Sequence, residues 1–357
     1  MEYLFAFLRS DLFIEQVLAF ETRGVYPRLD DNATRNILVP LPKQDDVLEY
    51  VGLLVRAATA KEDEIRSRHR QILDGIRHEL ADNQKPNTFA YNEPTVEEVL
   101  RIGRFDTGLY TQVFKQHNFS VLNYRHGHKS LPDLGFQAAR GTSLEIKALG
   151  TRMDSDVPLP GYYQLLIPAN ISDYGTEDRS AYIGTPTKLK TIRRGDIIFG
   201  GEGFGKGRCL VVCEDVDNIA TNYHGIRIYK PEASLTESIF IRCFLSYWRS
   251  LGMIDYIGVG GSGGHCAPSY FYLIETPLFP EAVQEAIAAL YHTPGVAYAT
   301  PAALNLVSFA AADAAFTAAA GIVELDLAAK RLRARLDAVL DAIARDVPVA
   351  VGFDFLG

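Results

Sequence analysis

Two stripes of apolar residues dominate the pattern of the chain. The first runs Val47, Val51, Leu54, Ala58, Ile65, Ile72, Ile76 and Leu80, between Gln44 and about Asn83. Apolar residues at steps of three and four share one helical face, so the spacing predicts a helix of about ten turns, roughly 55–60 Å long. Asn83-Gln84-Lys85-Pro86-Asn87 supplies the breakers that end it. The second stripe is Ile322, Leu325, Ala329, Leu332, Leu336, Val339 and Ile343, with the seven-residue spacing of a coiled-coil seam. Thr300-Pro301 reads as its start, a capping residue followed by a proline in the first turn. The Ala-rich stretch Ala310–Ala320 allows close helix contact. Two long striped helices pack most simply as an antiparallel pair, and two helices of a bundle have similar geometry.

Between the stripes, from about Thr95 to Pro280, the pattern changes to short β-rich runs: SLEIKAL, YYQLLI, DIIFG, RCLVVCE, GIRIY and YFYLIE. Gly, Pro, Asn and Asp clusters separate them, which predicts an α+β domain built on a strongly bent sheet.

An internal repeat overlies this layout. Phe7-Leu8 matches Phe244-Leu245, Gly24 matches Gly261, and Pro40-Leu41 matches Pro277-Leu278, each pair 237 residues apart. Each copy reads as a helix (FLRSDLFIEQVL, FLSYWRSLGMID), a Gly-containing turn, a short strand (NILVPLP, YFYLIETPLFP) and a new helix. The second copy has a full domain before it and the first has almost nothing, so the chain reads as starting partway through a repeating unit.

Composition narrows the class. The 357 residues are 47% hydrophobic and 22% charged, as in a globular protein. No run approaches the roughly 18 apolar residues of a membrane span, and MEYLFAFLRSDLF lacks the charged head and cleavage site of a secretory signal. Four cysteines are too few for a disulfide scaffold and point to a reducing, cytoplasmic setting. The net charge of −8 argues against a nucleic-acid binder, but it is an average. From Lys115 to Arg208 there are 13 Lys and Arg against 9 Asp and Glu, with His117, His126 and His128 in addition.

Three motifs invite chemistry. Gly200–Gly207 (GGEGFGKG) reads GxxxxGK, yet Gly207 stands where a P-loop needs Ser or Thr, and a strand rather than a helix follows, so the loop is a Gly-rich hairpin carrying Lys206 and Arg208. Pro132-Asp133 with Glu145-Ile146-Lys147 fits a metal-dependent PD…ExK endonuclease. There Asp133 and Glu145 would hold Mg²⁺ and Lys147 would steady the attacking water, with Glu145 and Lys147 on one face of a strand. Cys209, Cys213, Cys243 and Cys266 lack zinc-site spacing and read as buried thiols. The third motif set is a scatter of polar and aromatic loop residues suited to DNA. Arg140, Lys206, Arg208, Asn222 and His224 fall on expected loop tips, and Thr142, Lys147, Tyr162, Tyr174, Ser262 and His265 join them as candidate DNA contacts. Lys and Arg bind phosphates, whereas Asn, His, Arg and Ser can read base edges.

The order RFDTGLY (Arg104–Tyr110), GYYQLLIPANIS (Gly161–Ser172), LKTIRRGDIIFGGEGFGKG (Leu189–Gly207), Thr221-Asn222, FLSYWRS, GGSGG and PLFP resembles a target-recognition domain of type I restriction–modification specificity subunits. NILVPLP and the helix after it resemble the domain end and spacer helix of that family. The resemblance covers about residues 1–290 and, more loosely, the final helix. It implies a non-catalytic, cofactor-free reader of double-stranded DNA in a phage-defence restriction system. DNA methyltransferase subunits would dock on it, with a restriction (translocase) subunit as a further partner. A stiff helix pair would set the spacing between readers, and base flipping would fall to the partner.

The expected organisation is then an α+β bent-sheet target-recognition domain with long antiparallel coiled-coil spacer helices. Residues 1–43 would be the closing remnant of a first recognition domain, 44–84 a spacer helix, 95–280 a complete recognition domain, 281–346 a helical spacer region and 347–357 an apolar tail. A half-subunit that forms a homodimer, a circularly rearranged subunit and a truncated reading frame are the alternatives for the missing first domain.

Overall fold

In the computed structural model, which describes residues 1–20, 31–260 and 264–357, the first stripe is one helix of 38 residues, α4 (Asp45–Asp82). Before it come α1 (Glu2–Leu8), α2 (Asp11–Phe20) and α3 (Asp31–Arg35). All eight stripe residues are buried. The chain divides into two compact units, Met1–Arg68 with His292–Gly357, and His69–Tyr291, so the helix contributes to both.

In the first unit α4 lies antiparallel to α12 (Ile322–Ala344), with α11 (Phe309–Ala319) alongside. The direction follows from the contacts: Val47 lines a pocket with Ile343, Glu62 pairs with Arg333 at 2.5 Å, and Arg68 donates to the Ala318 carbonyl at 2.7 Å. The second stripe buries Ile322, Leu325, Ala329, Leu332 and Val339, as its period requires. Thr300-Pro301 does not start this helix. It opens a single 3₁₀ turn, Thr300 has φ +46° and caps nothing, and α12 begins 21 residues later behind Gly321. The terminal apolar segment folds back over the unit, stacking Phe353 on Phe309 with ring centres 3.9 Å apart, while the Tyr50 hydroxyl donates to the Gly352 carbonyl.

The first stripe skips from Ala58 to Ile65, and the helical position between them is Lys61, which is fully buried. Its ammonium lies 2.5 Å from Asp313 and 3.1 Å from the Thr317 hydroxyl, over the rings of Phe316 and Tyr298. Tyr298 donates to the same carboxylate at 2.6 Å. Burial pushes the Lys61 pKa down, and Asp313 offsets part of that. A buried pair of this kind gives little net stability, but removing one partner strands the other. It fixes which turn of α4 faces which turn of α11.

The second unit begins with the end of α4, α5 (Val96–Ile102) and α6 (Gln112–Leu122). Ten short strands follow: β1 (His128–Ser130), β2 (Gln137–Arg140), β3 (Met153–Ser155), β4 (Tyr163–Leu165), β5 (Tyr182–Gly184), β6 (Ile197–Gly200), β7 (Cys209–Val211), β8 (Ile219–Ala220), β9 (Gly225–Tyr229) and β10 (Glu275–Pro277). They form an antiparallel sheet β2-β9-β6-β7, a mixed sheet β3-β5-β4-β8 with β4 and β8 parallel, and the pair β1-β10. Ile198, Leu210 and Val212 of the first sheet region pack with Leu166, Ile171, Ile192 and Ile219, and a second cluster holds Leu144, Leu149, Leu165, Ile183, Leu189 and Ala220.

SLEIKAL is not a strand. Glu145 stands at the start of a single-turn helix, α7 (Ile146–Leu149), which forms because Leu144 and Leu149 both turn into the second cluster and Gly150, at φ +73°, ends the turn. Most of YFYLIE is likewise 3₁₀ helix, and only Glu275–Pro277 pairs as a strand.

Helix α8 (Leu235–Ser250) closes the first sheet, followed by α9 (Met253–Ile257) and α10 (Glu281–Tyr291). Ser234 accepts from the Glu237 amide at 3.0 Å, and the Ser-x-x-Glu spacing is that of a capping box. Arg242 of α8 is fully buried, donates to the Cys209 carbonyl of β7 at 3.0 Å and lies 4.5 Å from the Tyr291 ring of α10. Gly175 approaches so closely that a Cβ there would sit 2.1 Å from the guanidinium.

Both copies of the repeat contain a broken helix, but the breaks are out of register: α1 breaks into α2 at Arg9-Ser10, which the 237-residue offset maps to Ser246-Tyr247 inside α8, whereas α8 breaks into α9 at Leu251-Gly252. Phe7 and Phe244 are both fully buried. The copies differ afterwards: the segment 36–42 forms no strand, unlike β10. They differ also in cover, since Leu8 is 45% exposed and Leu245 is not exposed at all. Gly24 and the middle of the GGSGG run, with Gly261 and Ser262, lie outside the described residues.

Two stability predictions follow from these contacts. Lys61→Met should lower unfolding free energy by about 3–5 kcal/mol, and adding Asp313→Leu should recover most of it; chemical denaturation of the four proteins of this cycle measures both. Gly175→Ala combines the clash with a φ of +83° and should cost at least ~2 kcal/mol in the same assay.

Candidate nucleic-acid interface

Strand direction gathers five of the eleven candidate residues, Arg140, Thr142, Asn222, His224 and His265, at one end of the first sheet. β2 ends at Arg140, which pairs with Ile226; β6 ends at Gly200, which pairs with Gly225 at the start of β9; β7 starts at Cys209. The segment after β2, the turn before β9 and the β6–β7 hairpin therefore emerge side by side. Thr142 donates its amide to Thr221 at 3.1 Å, and the Gly201 amide donates to the His224 carbonyl at 2.9 Å.

Glu202 organises this end. Its carboxylate lies 2.6 Å from His224 Nδ1 and 3.5 Å from Arg140 Nη1. The hydrogen bond from His224 is the main cause that holds the Glu202 pKa below the usual range. Arg140 also donates to the carbonyls of Tyr223 at 3.1 Å and Cys266 at 3.3 Å, and lies 4.7 Å from the Tyr223 ring centre. Tyr223 and His224 are more than half exposed, and His265 is exposed beside Cys266. A cleft of about 470 Å³ runs between Glu145 and Arg152 on one side and Asn222 to His224 on the other. Asn222 spends its Oδ1 on the Gly225 amide at 3.1 Å, which shapes the turn and leaves its amide nitrogen for a ligand. The hydroxyls of Thr142 and Thr221 are buried with no hydrogen-bond partner among the described residues.

Other candidates are placed differently. Lys206 and Arg208 stand at the base of the hairpin, not its tip: Lys206 pairs with Asp255 at 2.5 Å, and Arg208 with Asp173 at 2.9 Å. Tyr174 rests edge-on against His69, with centres 5.4 Å apart, and Tyr162 lies against the backbone of Gly184. Burial and the nearby Arg242 charge lower the His69 pKa to about 4, so it is neutral at pH 7. Lys147 is exposed on α7. Ser262 lies outside the described residues.

The hairpin tip carries the residue that sequence reasoning passed over. Phe204 is 100% exposed, between Gly203 and Gly205. Glu202 and Tyr223 were also unforeseen. A phenylalanine between two glycines in a polar loop was the available signal, since glycines cannot cover a ring.

The endonuclease geometry does not form. Glu145 and Lys147 are not on a strand face, and the Asp133 carboxylate takes a hydrogen bond from Ser130 at 2.6 Å in the turn after β1. Among the described residues no group of three His, Cys, Asp or Glu side chains is placed to hold a metal ion. The Gly200–Gly207 loop runs into β7, so a strand and not a helix follows it, unlike a P-loop. All four cysteines are buried, and burial pushes Cys243 and Cys266 up to about 11, which leaves them unreactive. Among the described residues no helix is long and apolar enough to cross a membrane.

No protein-family model matches the chain, and no curated protein matches it. Solved structures do show similarity. The HsdS subunit from Thermoanaerobacter tengcongensis matches 96% of this chain and 70% of its own, with 17% identity and a TM-score of 0.30. A chain from a structure described as underlying complex assembly and conformational transition of the type I R-M system matches over the same shares, with 17% identity and a TM-score of 0.29. The S subunit of a type I restriction–modification system from M. genitalium matches 98% of this chain and 73% of its own, with 10% identity and a TM-score of 0.40.

Proposed function

We propose that the chain is a non-catalytic, sequence-reading subunit for double-stranded DNA that works with a DNA methyltransferase in a type I-like restriction–modification complex. The observation that carries the reading is the end of the first sheet, where Arg140, Asn222, Tyr223 and His224 emerge from two adjacent segments beside the β6–β7 hairpin. Their groups match the major-groove code: an arginine fits guanine, an amide fits adenine, and imidazole can donate or accept. The ordered motifs from Arg104 to Pro280 support the choice of partner. In this reading α4 and α12 form the spacer arm, residues 1–43 close a first recognition domain, and residues 95–280 are the complete one.

Charge supports specific over general attraction. The cations near the site are largely engaged with carboxylates of the same unit, as in Arg152 with Asp154 and Arg179 with Asp156. A protein so neutralised displaces few counterions, so its affinity for arbitrary DNA is weak and its discrimination rests on fitted contacts.

The decisive experiment is selection from a random duplex pool, with the chain alone and with a methyltransferase subunit, in the absence of metal. A defined consensus is expected, with binding that weakens as salt rises; recovery of no consensus under either condition refutes the reading. Glu202→Gln should free Arg140 and His224 from their shared carboxylate. Binding to duplexes outside the consensus should then tighten a few-fold in fluorescence anisotropy, and the preference for the consensus should shrink.

A further inference from the structure

We infer that Phe204 is a wedge that enters the DNA stack between two base pairs, an inference that rests on the DNA-reading function proposed above. The ring is fully exposed, although fully burying such a side chain is worth about 1.5–3 kcal/mol. Its surroundings explain why it cannot retreat. The Gly207 amide donates to Gly200 and the Gly200 amide to Arg208, each at 2.8 Å, which closes the hairpin beneath it. Gly205 is pressed onto the Pro168 carbonyl, where a Cβ would sit 2.5 Å from the oxygen. Arg249 of α8 donates to the Lys206 carbonyl at 3.2 Å, pinning the far side. The loop is a rigid mount with one aromatic side chain projecting from it.

What covers that ring follows from its neighbours. A protein-docking hot spot lies in a well-packed, desolvated interface core that is depleted of charged residues. The chain around Phe204 offers Glu202, two glycines and Lys206 instead. A lone apolar ring in polar surroundings, two residues from the His224–Glu202 contact, suits a base step, where the ring stacks and the polar rim meets sugar and phosphate. Insertion would unstack the step beside the bases that Tyr223 and His224 meet.

The test uses the full chain and the duplex it selects from the random pool, with 2-aminopurine substituted at successive positions. Wild type should raise the fluorescence at one step. Phe204→Ala should melt at the wild-type temperature, bind the duplex roughly ten- to a hundredfold more weakly and abolish the rise, while Phe204→Trp restores both. Wild-type binding without fluorescence at any position, or an unchanged signal in Phe204→Ala, overturns the wedge and leaves the DNA-reading function standing. If wild type selects no duplex, the function itself fails and the wedge fails with it.

Discussion

The second unit depends on a guanidinium buried where no carboxylate of the described residues meets it. Arg242 is held instead by the Cys209 carbonyl and the Tyr291 ring, and its Nη2 has no hydrogen-bond partner there. Burying a cation in this way is costly, and the compensation is that three elements must stay together around it. β7, α8 and α10 meet at this point, and Tyr291 reaches on to the Gly175 carbonyl at 2.7 Å. The consequence extends to the exposed end of the sheet. Cys209 is the first residue of β7, directly after the hairpin that bears Phe204, so Arg242 fixes where that hairpin leaves the sheet. Arg249, two turns further along the same helix, fixes its Lys206. A helix buried in the core thus sets the position of a loop whose tip is wholly in solvent.

The same economy governs charge. Glu202 takes two of the groups best suited to DNA, and Asp173 takes both Arg208 and Arg249, at 2.9 and 3.0 Å. These pairs hold side chains in fixed poses at the expense of long-range attraction. For a reader of sequence that exchange is favourable, because poses carry information and phosphate attraction does not. Under the proposed function, a net charge of −8 does not argue against a DNA partner, because discrimination would rest on fitted contacts and not on bulk attraction.

How much of this was legible in the sequence varied with the length scale of the signal. The stripe from Val47 to Leu80 specified α4 to within a residue at each end, because a long period averages out local exceptions. The gap in that stripe at Lys61 was equally visible, but its meaning needed Asp313, some 250 residues away. Short runs misled: SLEIKAL has strand-like composition, yet burial of Leu144 and Leu149 five residues apart made it a turn of helix. At the candidate site, the places of Arg140, Asn222 and His224 beside glycines and strand ends single them out as candidates, and the structure brings them to one end of the sheet. Glu202 offers no such signal, since a lone carboxylate carries no spacing, and the signal at Phe204 is its place between two glycines. Lys206 and Arg208 were placed at a tip because the hairpin was foreseen, but Asp173 and Asp255, which draw them to its base, lie far off in sequence.

In the proposed function, side chains at the end of the first sheet choose the bases. The most direct measurement compares the consensus selected by wild type with those selected by Arg140→Ala and His224→Ala, each checked for an unchanged melting temperature. Loss of preference at one or two base pairs per variant, with the rest of the consensus intact, is the predicted result. Consensus sequences identical to the wild type in both variants would contradict it.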